Sequence, residues 1–198
     1  LTTISLISDD ATMNEGHAWC GSDDWKAIVR ERIVPWALGD RDLGDDVLEV
    51  GPGYGATTEV FRERTRQLTA VEIDPALASA LAARFKDTNV TVVEGDASSM
   101  TYPDGSFTGA TCFAMLHHVP STELQDRIFG EIARVLRHGG LFVASDGVYS
   151  DAVAEFHKDD TYLPVDPSTL DGRLREAGFV DIDTEFGDFG WTARARRA

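Results

Sequence analysis

Apolar and polar positions alternate along this chain in two periods. From Asp45 onward, short apolar runs are separated by stretches with helical spacing, the pattern of a parallel sheet covered on both faces. Val47–Val50 predicts a first strand, Ala56–Arg64 a helix and Leu68–Ile73 a second strand. Asp74 and Pro75 supply an N-cap and a first-turn proline, with Leu77, Leu81 and Phe85 on one helix face. Val90–Glu94 and Ala110–Ala114 predict strands three and four. Thr122 and Gln125 match a capping box, followed by an apolar face of Leu124, Ile128, Ile132, Val135 and Leu136. Gly139 and Gly140 are expected to end that helix before a fifth strand, Leu141–Ser145. Asp166 and Pro167 open one more helix, carrying Leu170, Leu174 and Ala177 and closing at Gly178.

The two ends of the chain break the alternation. Val180, Ile182, Thr184 and Phe186 alternate with acidic residues, and Phe189, Trp191, Ala193 and Ala195 alternate after Gly187-Asp188. That predicts a hairpin, hence antiparallel strands near a sheet edge. Before the sheet, Trp25, Ile28, Val29, Ile33 and Trp36 predict an amphipathic helix. The fold expected is a doubly wound, mostly parallel α/β sheet with a terminal antiparallel strand and an N-terminal helical cap. The expected organisation is an upstream extension over residues 1–12 before a natural start at Met13, a cap or lid over 13–40, and one domain over 41–198.

Charge narrows the partners. Eighteen basic and 34 acidic residues give a net charge of −16. Such a field repels phosphate backbones, so the expectation is no nucleic-acid partner. Arg194, Arg196 and Arg197 are read as a short solvated tail. No apolar run is long enough to span a bilayer, and the first residues lack a signal-peptide pattern, so no membrane association is expected. Cys20 and Cys112 are far apart in sequence and suggest no disulfide framework, consistent with a reducing cytoplasm. Oligomeric state is not legible.

The chemistry-bearing residues lie after predicted strands. Gly51-Pro-Gly53-Tyr-Gly55 joins the first strand to its helix, where backbone can approach a ligand and free N–H groups meet an anion. Gly51, Gly53 and Ala56 also match the dinucleotide pattern G-x-G-x-x-A. Glu72, 21 residues after Gly51, can accept two ribose hydroxyls, which fits a nicotinamide dinucleotide or S-adenosylmethionine. Asp96 after the third strand can accept an adenine amino group beside the Ala97 N–H, or can simply cap a turn.

These segments, taken in order, resemble the class I S-adenosylmethionine-dependent methyltransferases. Glu49-Val-Gly51-Pro-Gly53-Tyr-Gly55 resembles the family's first motif, Val71-Glu72-Ile73-Asp74 its ribose-binding strand end and Gly95-Asp96-Ala97 its adenine motif. Asp104-Gly-Ser-Phe107 and Met115-Leu116-His117-His118 resemble the fourth-strand motif of small-molecule members. Arg134 to Gly140 resembles the turn before the fifth strand, with His138 where proline is usual, and Thr108 stands where aspartate commonly follows the phenylalanine. The match runs from about Asp45 to Asp146. It implies seven strands in the order 3-2-1-4-5-7-6, strand 7 antiparallel. It implies S-adenosylmethionine as cofactor, held by Glu49, Gly51, Pro52, Gly53, Gly55, Glu72, Ile73, Asp96, Ala97 and Phe113.

Ala70-Val-Glu-Ile-Asp-Pro-Ala also resembles ribosomal-RNA adenine dimethylases, whose Asn- or Asp-Pro-Pro-Tyr-like motif is replaced here by Phe113-Ala-Met-Leu-His-His. The activity expected is therefore methyl transfer to a small-molecule acceptor. His117 and His118 are the candidates for a general base. Adjacent residues of an extended segment point opposite ways, so only one of the two is expected to face the cleft. His17, Trp19 and Tyr162 are candidates for the lid or acceptor wall. His157, Asp159 and Asp160 read as a solvated acidic loop without a second ligand cluster, so no metal site is expected. A nicotinamide-dependent oxidoreductase, an RNA methyltransferase and a catalytically silent cofactor-binding module are the alternatives.

Overall fold

A computed structural model of the chain describes residues 19–158 and 160–198. Its sheet has seven strands: β1 (Asp46–Val50), β2 (Gln67–Glu72), β3 (Val90–Glu94), β4 (Phe107–Phe113), β5 (Leu136–Asp146), β6 (Phe179–Gly187) and β7 (Gly190–Arg197). They lie in the order β3-β2-β1-β4-β5-β7-β6, with β7 antiparallel to both neighbours and the other pairs parallel. This is the expected topology. All five parallel strands end at one edge, and that edge carries the loops with the candidate chemistry.

Period-two alternation decides what each face meets. Leu48 and Val50 of β1 join one core with Phe142 and Ala144 of β5, against α5 (Thr122–Val135) and α7 (Pro167–Glu176). Val47 of β1 and Val143 of β5 face the other way. They meet α3 (Ala56–Phe61) and the N-terminal helical segment. That segment is α1 (Asp23–Ile28), a π-helical turn over Val29–Ile33 and α2 (Val34–Leu38). α4 (Pro75–Arg84) starts as expected, with the Asp74 carboxylate accepting from the Ala76 and Leu77 N–H groups. Phe129 and Phe142 are fully buried, and truncating either to alanine costs about 3–5 kcal/mol.

The N-terminal element divides in function along its length. Val34, Ala37 and Leu38 are buried in the core, so its C-terminal half is integral to the sheet domain. Arg194 of β7 explains why. Arg194 is 5% exposed, and its guanidinium donates to the carbonyls of Ala37 and Trp36, both at 2.6 Å, closing the end of α2. Arg194 is therefore no part of a solvated tail. Trp19 and Trp25, at the other end of the segment, pair at 5.1 Å between ring centroids beside the cleft.

Three local expectations change. The N-cap of α5 is Ser121, which accepts from Leu124 N, and not Thr122. Gln125 is buried and donates instead to the Leu116 and Leu163 carbonyls, tying two loops together. α5 ends at Val135, and Leu136 already pairs with Phe107 in the sheet. Gly139 and Gly140 therefore sit in an irregular stretch of β5 instead of capping a helix. In β6, a register shift between Val180 and Asp183 interrupts the alternation, leaving Val180 and Phe186 exposed. None of the described helices is long and apolar enough to cross a membrane.

Candidate active site

A cavity of about 1010 Å³ opens at the carboxyl edge of the sheet. One end is built by loops that follow β1, β2 and β3. Of the residues assigned to the cofactor from the sequence, Gly51, Pro52, Gly53, Glu72, Ile73, Asp96, Ala97 and Phe113 line the cavity. Gly51, Gly53 and Gly55 have positive φ of 66°, 54° and 76°, but their surroundings differ. A Cβ at Gly51 would strike the Met115 side chain, and one at Gly55 would come within 2.6 Å of Leu81 Cδ2. A Cβ at Gly53 would meet nothing within 4 Å. Gly53 alone thus faces open cavity, and its missing side chain is space for a ligand. Gly55 serves helix packing and does not line the cavity, which corrects its assignment.

Glu72 is held in place by its own loop. Its Oε2 accepts from Gly53 N at 2.9 Å and its Oε1 from Asp74 N at 3.0 Å. Burial pushes its carboxyl pKa up, while those N–H bonds pull it down. Asp96 Oδ1 accepts from Ser98 N, so the turn-capping role holds, and the residue also lines the cavity. Glu49 is corrected. It lies beneath the glycine loop, 2% exposed and outside the cavity lining. Its oxygens accept from the Thr57 and Thr58 hydroxyls of α3. Being odd in register with Leu48 and Val50, it points to the α3 face, where burial raises its pKa to about 7.

The other end is built from residues of and after β4 and β5 and from α6 (Asp151–Phe156). Leu116–His118 forms a 3-10 turn, not an extended strand end. Successive residues are then about a third of a turn apart, so both His117 and His118 line the cavity, contrary to the expectation of one. Asp146, the last residue of β5, is 3% exposed. Its Oδ1 lies 2.6 Å from His117 Nδ1, and its Oδ2 accepts from His117 N at 3.1 Å. Burial works against a charged His117, but the Asp146 carboxylate outweighs it and raises the imidazole pKa.

His157, just after α6, is 5% exposed, lines the same cavity and is therefore not on a solvated loop. Its Nδ1 lies 2.7 Å from the Val153 carbonyl, and its ring is 4.9 Å from that of His117. Burial lowers its pKa. Tyr162 does not line the cavity; it stacks on His157 at 4.6 Å from behind. Leu163 N donates to the His117 carbonyl, so this segment braces the histidine turn instead of forming an acceptor wall. Trp19 lines the cavity and is half-exposed. His17 and Asp159 lie outside the described residues. Asp146 and Met115 were missed in the sequence. Asp146 carries the same signal as Glu72, an acidic residue closing an apolar strand, whereas nothing local distinguishes Met115.

Residues 48–144 match the family model described as a methyltransferase domain. A Mycobacterium tuberculosis protein named "Probable S-adenosylmethionine-dependent methyltransferase" is 29% identical over 161 residues, 77% of this chain and 55% of that protein. A "Probable ribosomal RNA small subunit methyltransferase A" of Methanothermobacter thermautotrophicus is 39% identical over 77 residues, 39% of this chain and 28% of that protein. The chain thus spans between about a quarter and a half of the length of these curated relatives. A solved S-adenosylmethionine-dependent methyltransferase from Archaeoglobus fulgidus superposes with a TM-score of 0.71 at 20% identity, covering 91% of this chain and 97% of that one.

The ribosomal-RNA relatives overturn the expectation that nucleic acid is excluded as a partner. A net charge is an average over the chain, and it does not decide what a local surface or a further segment meets. The glycine loop, strand-end acids, strand order and matched segment converge on one conclusion: the chain has the class I methyltransferase fold, with S-adenosylmethionine as cofactor.

Proposed function

We propose that this protein transfers a methyl group from S-adenosylmethionine to a small-molecule acceptor bound in the same cavity. The observation that carries this reading is a single cavity of about 1010 Å³ whose two ends differ in chemistry. Glycine backbone and strand-end carboxylates line one end, and imidazoles line the other. Most of the wall between them is apolar, with Val29, Ile33, Leu124, Ile128 and Phe156 among its residues, which suits an organic acceptor shielded from water.

The residues present fit the cofactor. The open space at Gly53 is the room a ligand needs against backbone, and Glu72 and Asp96 line the same end, which supports roles for them toward its ribose and adenine. When bound, S-adenosylmethionine supplies a methyl group already activated by its sulfonium. The chain's own work is alignment, exclusion of water and, for an acceptor that starts protonated, removal of one proton. His117 is the group for that task. Asp146 accepts from its Nδ1–H, which leaves the lone pair on Nε2 and stabilises the charge when the proton arrives. Asp146 is a positioning residue that acts through the imidazole.

Structured RNA is the second reading, favoured by the archaeal relatives. The test is a methyl-transfer screen with radiolabelled donor against hydroxyl-, amine- and thiol-bearing small molecules and against ribosomal RNA. Label in an extractable small molecule supports the proposal. Label in RNA alone replaces it, and binding of S-adenosylhomocysteine without transfer to any acceptor points to a silent module.

A further inference from the structure

Two adjacent histidines and a third about 40 residues later converge at the acceptor end. His117 and His118 come from the turn after β4, and His157 from the end of α6. One ring nitrogen from each lies within 4.8 Å of the other two. The rings sit at centroid distances of 4.2, 4.9 and 5.1 Å. This grouping is not an edge of the surface: all three line the cavity, and His157 is buried.

The oxygens behind the rings carry the argument further. His117 Nδ1 meets Asp146 Oδ1 at 2.6 Å, and His157 Nδ1 meets the Val153 carbonyl at 2.7 Å. A carboxylate and a carbonyl can only accept, so Nδ1 carries the proton in both rings, and in the neutral rings the lone pair is on Nε2. His118 Nδ1 lies 3.8 Å from Asp160 Oδ2. Metal-ligating histidines use one nitrogen on the ion and give the other to a carboxylate or carbonyl, which fixes tautomer and orientation. Here that outer layer is already in place for His117 and His157, and a carboxylate stands near His118.

We infer that His117, His118 and His157 form a site for a divalent transition metal of the zinc type, facing the acceptor end of the cavity. Three imidazoles with a position left for an exogenous ligand is the arrangement of a reactive site, whereas a structural site closes all four. The cavity provides room for an acceptor oxygen or sulfur as the fourth ligand. A bound cation lowers the pKa of such a group, which serves the same end as the imidazole base, and His117 cannot fill both roles at once. That consequence rests on the proposed methyl transfer; the binding of metal does not.

The test uses the whole chain after dialysis against a chelator. Zn²⁺ is titrated in competition with a chromophoric chelator, and Co²⁺ is added separately and read by its visible spectrum. The expected result is one equivalent of Zn²⁺ and a Co²⁺ spectrum of four-coordinate intensity. His157→Ala and the paired substitution H117A/H118A should abolish stoichiometric binding. Asp146→Asn should weaken it about 10- to 100-fold. His138→Ala, at an exposed position, should leave it unchanged. S-adenosylhomocysteine affinity, measured on every variant, reports folding and the donor site independently. A wild-type chain that takes up no stoichiometric Zn²⁺, or gives only an octahedral Co²⁺ spectrum, overturns the site, as does one equivalent surviving in a folded H117A/H118A variant. Loss of S-adenosylhomocysteine binding with Zn²⁺ binding intact would instead sink the donor reading and spare the metal site.

Discussion

The donor and acceptor ends of the cavity share one construction, and the acceptor end adds to it a residue from outside the strand ends. At the donor end, each contributor is the loop that follows its own strand, and its neighbours in space are also the ends of adjacent strands. Gly53 N reaches Glu72 across 19 residues, from the loop after β1 to the end of its sheet neighbour β2. At the acceptor end, His117 meets Asp146 across 29 residues, again between neighbouring strands, but His157 arrives from a helix beyond β5. The first end rests on backbone and strand register alone, whereas the second also needs a side chain brought in by tertiary packing. The comparison teaches that the one end follows from strand order and the other from packing particular to this sequence.

The largest expected effect comes at the donor end. Gly53→Val places a branched side chain in the open space and at a φ of 54°, which a β-branched residue rarely adopts. Calorimetry on the folded variant should detect no S-adenosylhomocysteine binding. Retained tight binding would show that the loop does not cradle the ligand and would erase the distinction between the two ends.

Next in size is His117→Ala. Loss of a positioned base should lower turnover about 10²- to 10⁴-fold. S-adenosylhomocysteine affinity should stay within about threefold, because His117 belongs to the other end. A matching loss of cofactor affinity would mean the two ends are coupled. The milder Asp146→Asn variant should lower kcat with KM for donor unchanged, as befits a residue acting through the imidazole.

Glu72→Ala and Asp96→Ala follow. Each removes a charged hydrogen-bond acceptor, worth about 1.5–3 kcal/mol, or about 10- to 150-fold in S-adenosylhomocysteine affinity. Glu72 also holds Gly53 N and Asp74 N, so its loss should exceed that of Asp96, which spends one oxygen on a turn. Equal affinity in both variants and wild type would remove the adenosine assignment.

The same contrast explains what could be read from the sequence. The strands followed from alternation because each is local, and their order from the family resemblance. The residues that line the glycine-loop end followed from the same motifs, apart from two that lie outside the cavity lining. Glu49 and Gly55 stand inside the motif, but register turns Glu49 toward α3, and Leu81 fills the space beside Gly55. The histidine cluster was half visible. Two members are adjacent in sequence, but the third depends on where α6 ends, and no spacing rule reaches it. The buried role of Arg194 was hidden likewise, because its acceptors lie 157 and 158 residues earlier.

The smallest expected effect on ligand binding belongs to Glu49, and it decides whether that residue serves the cofactor or the scaffold. Its carboxyl is buried, and burial, only partly offset by the Thr57 and Thr58 hydroxyls and aided by the nearby Glu72, raises its pKa from an ordinary 4.5 to about 7. A folded-state pKa above the unfolded one means that the folded chain binds the proton more tightly. The resulting stability is fully present below pH 4.5 and is lost as pH rises through about 7. Ionisation at pH 8 therefore costs the folded state about 3 kcal/mol relative to pH 4.5. Gln has the same shape, cannot ionise, and can place its amide against two hydroxyls that both donate and accept. Glu49→Gln should be more stable than wild type at pH 8 and should lose that advantage toward pH 4.5. S-adenosylhomocysteine affinity should change by less than about threefold, because the side chain lies outside the cavity lining. Denaturant melts at both pH values with calorimetry at pH 8 measure both quantities. A tenfold or greater loss of affinity without the pH-dependent gain in stability would return Glu49 to the cofactor site.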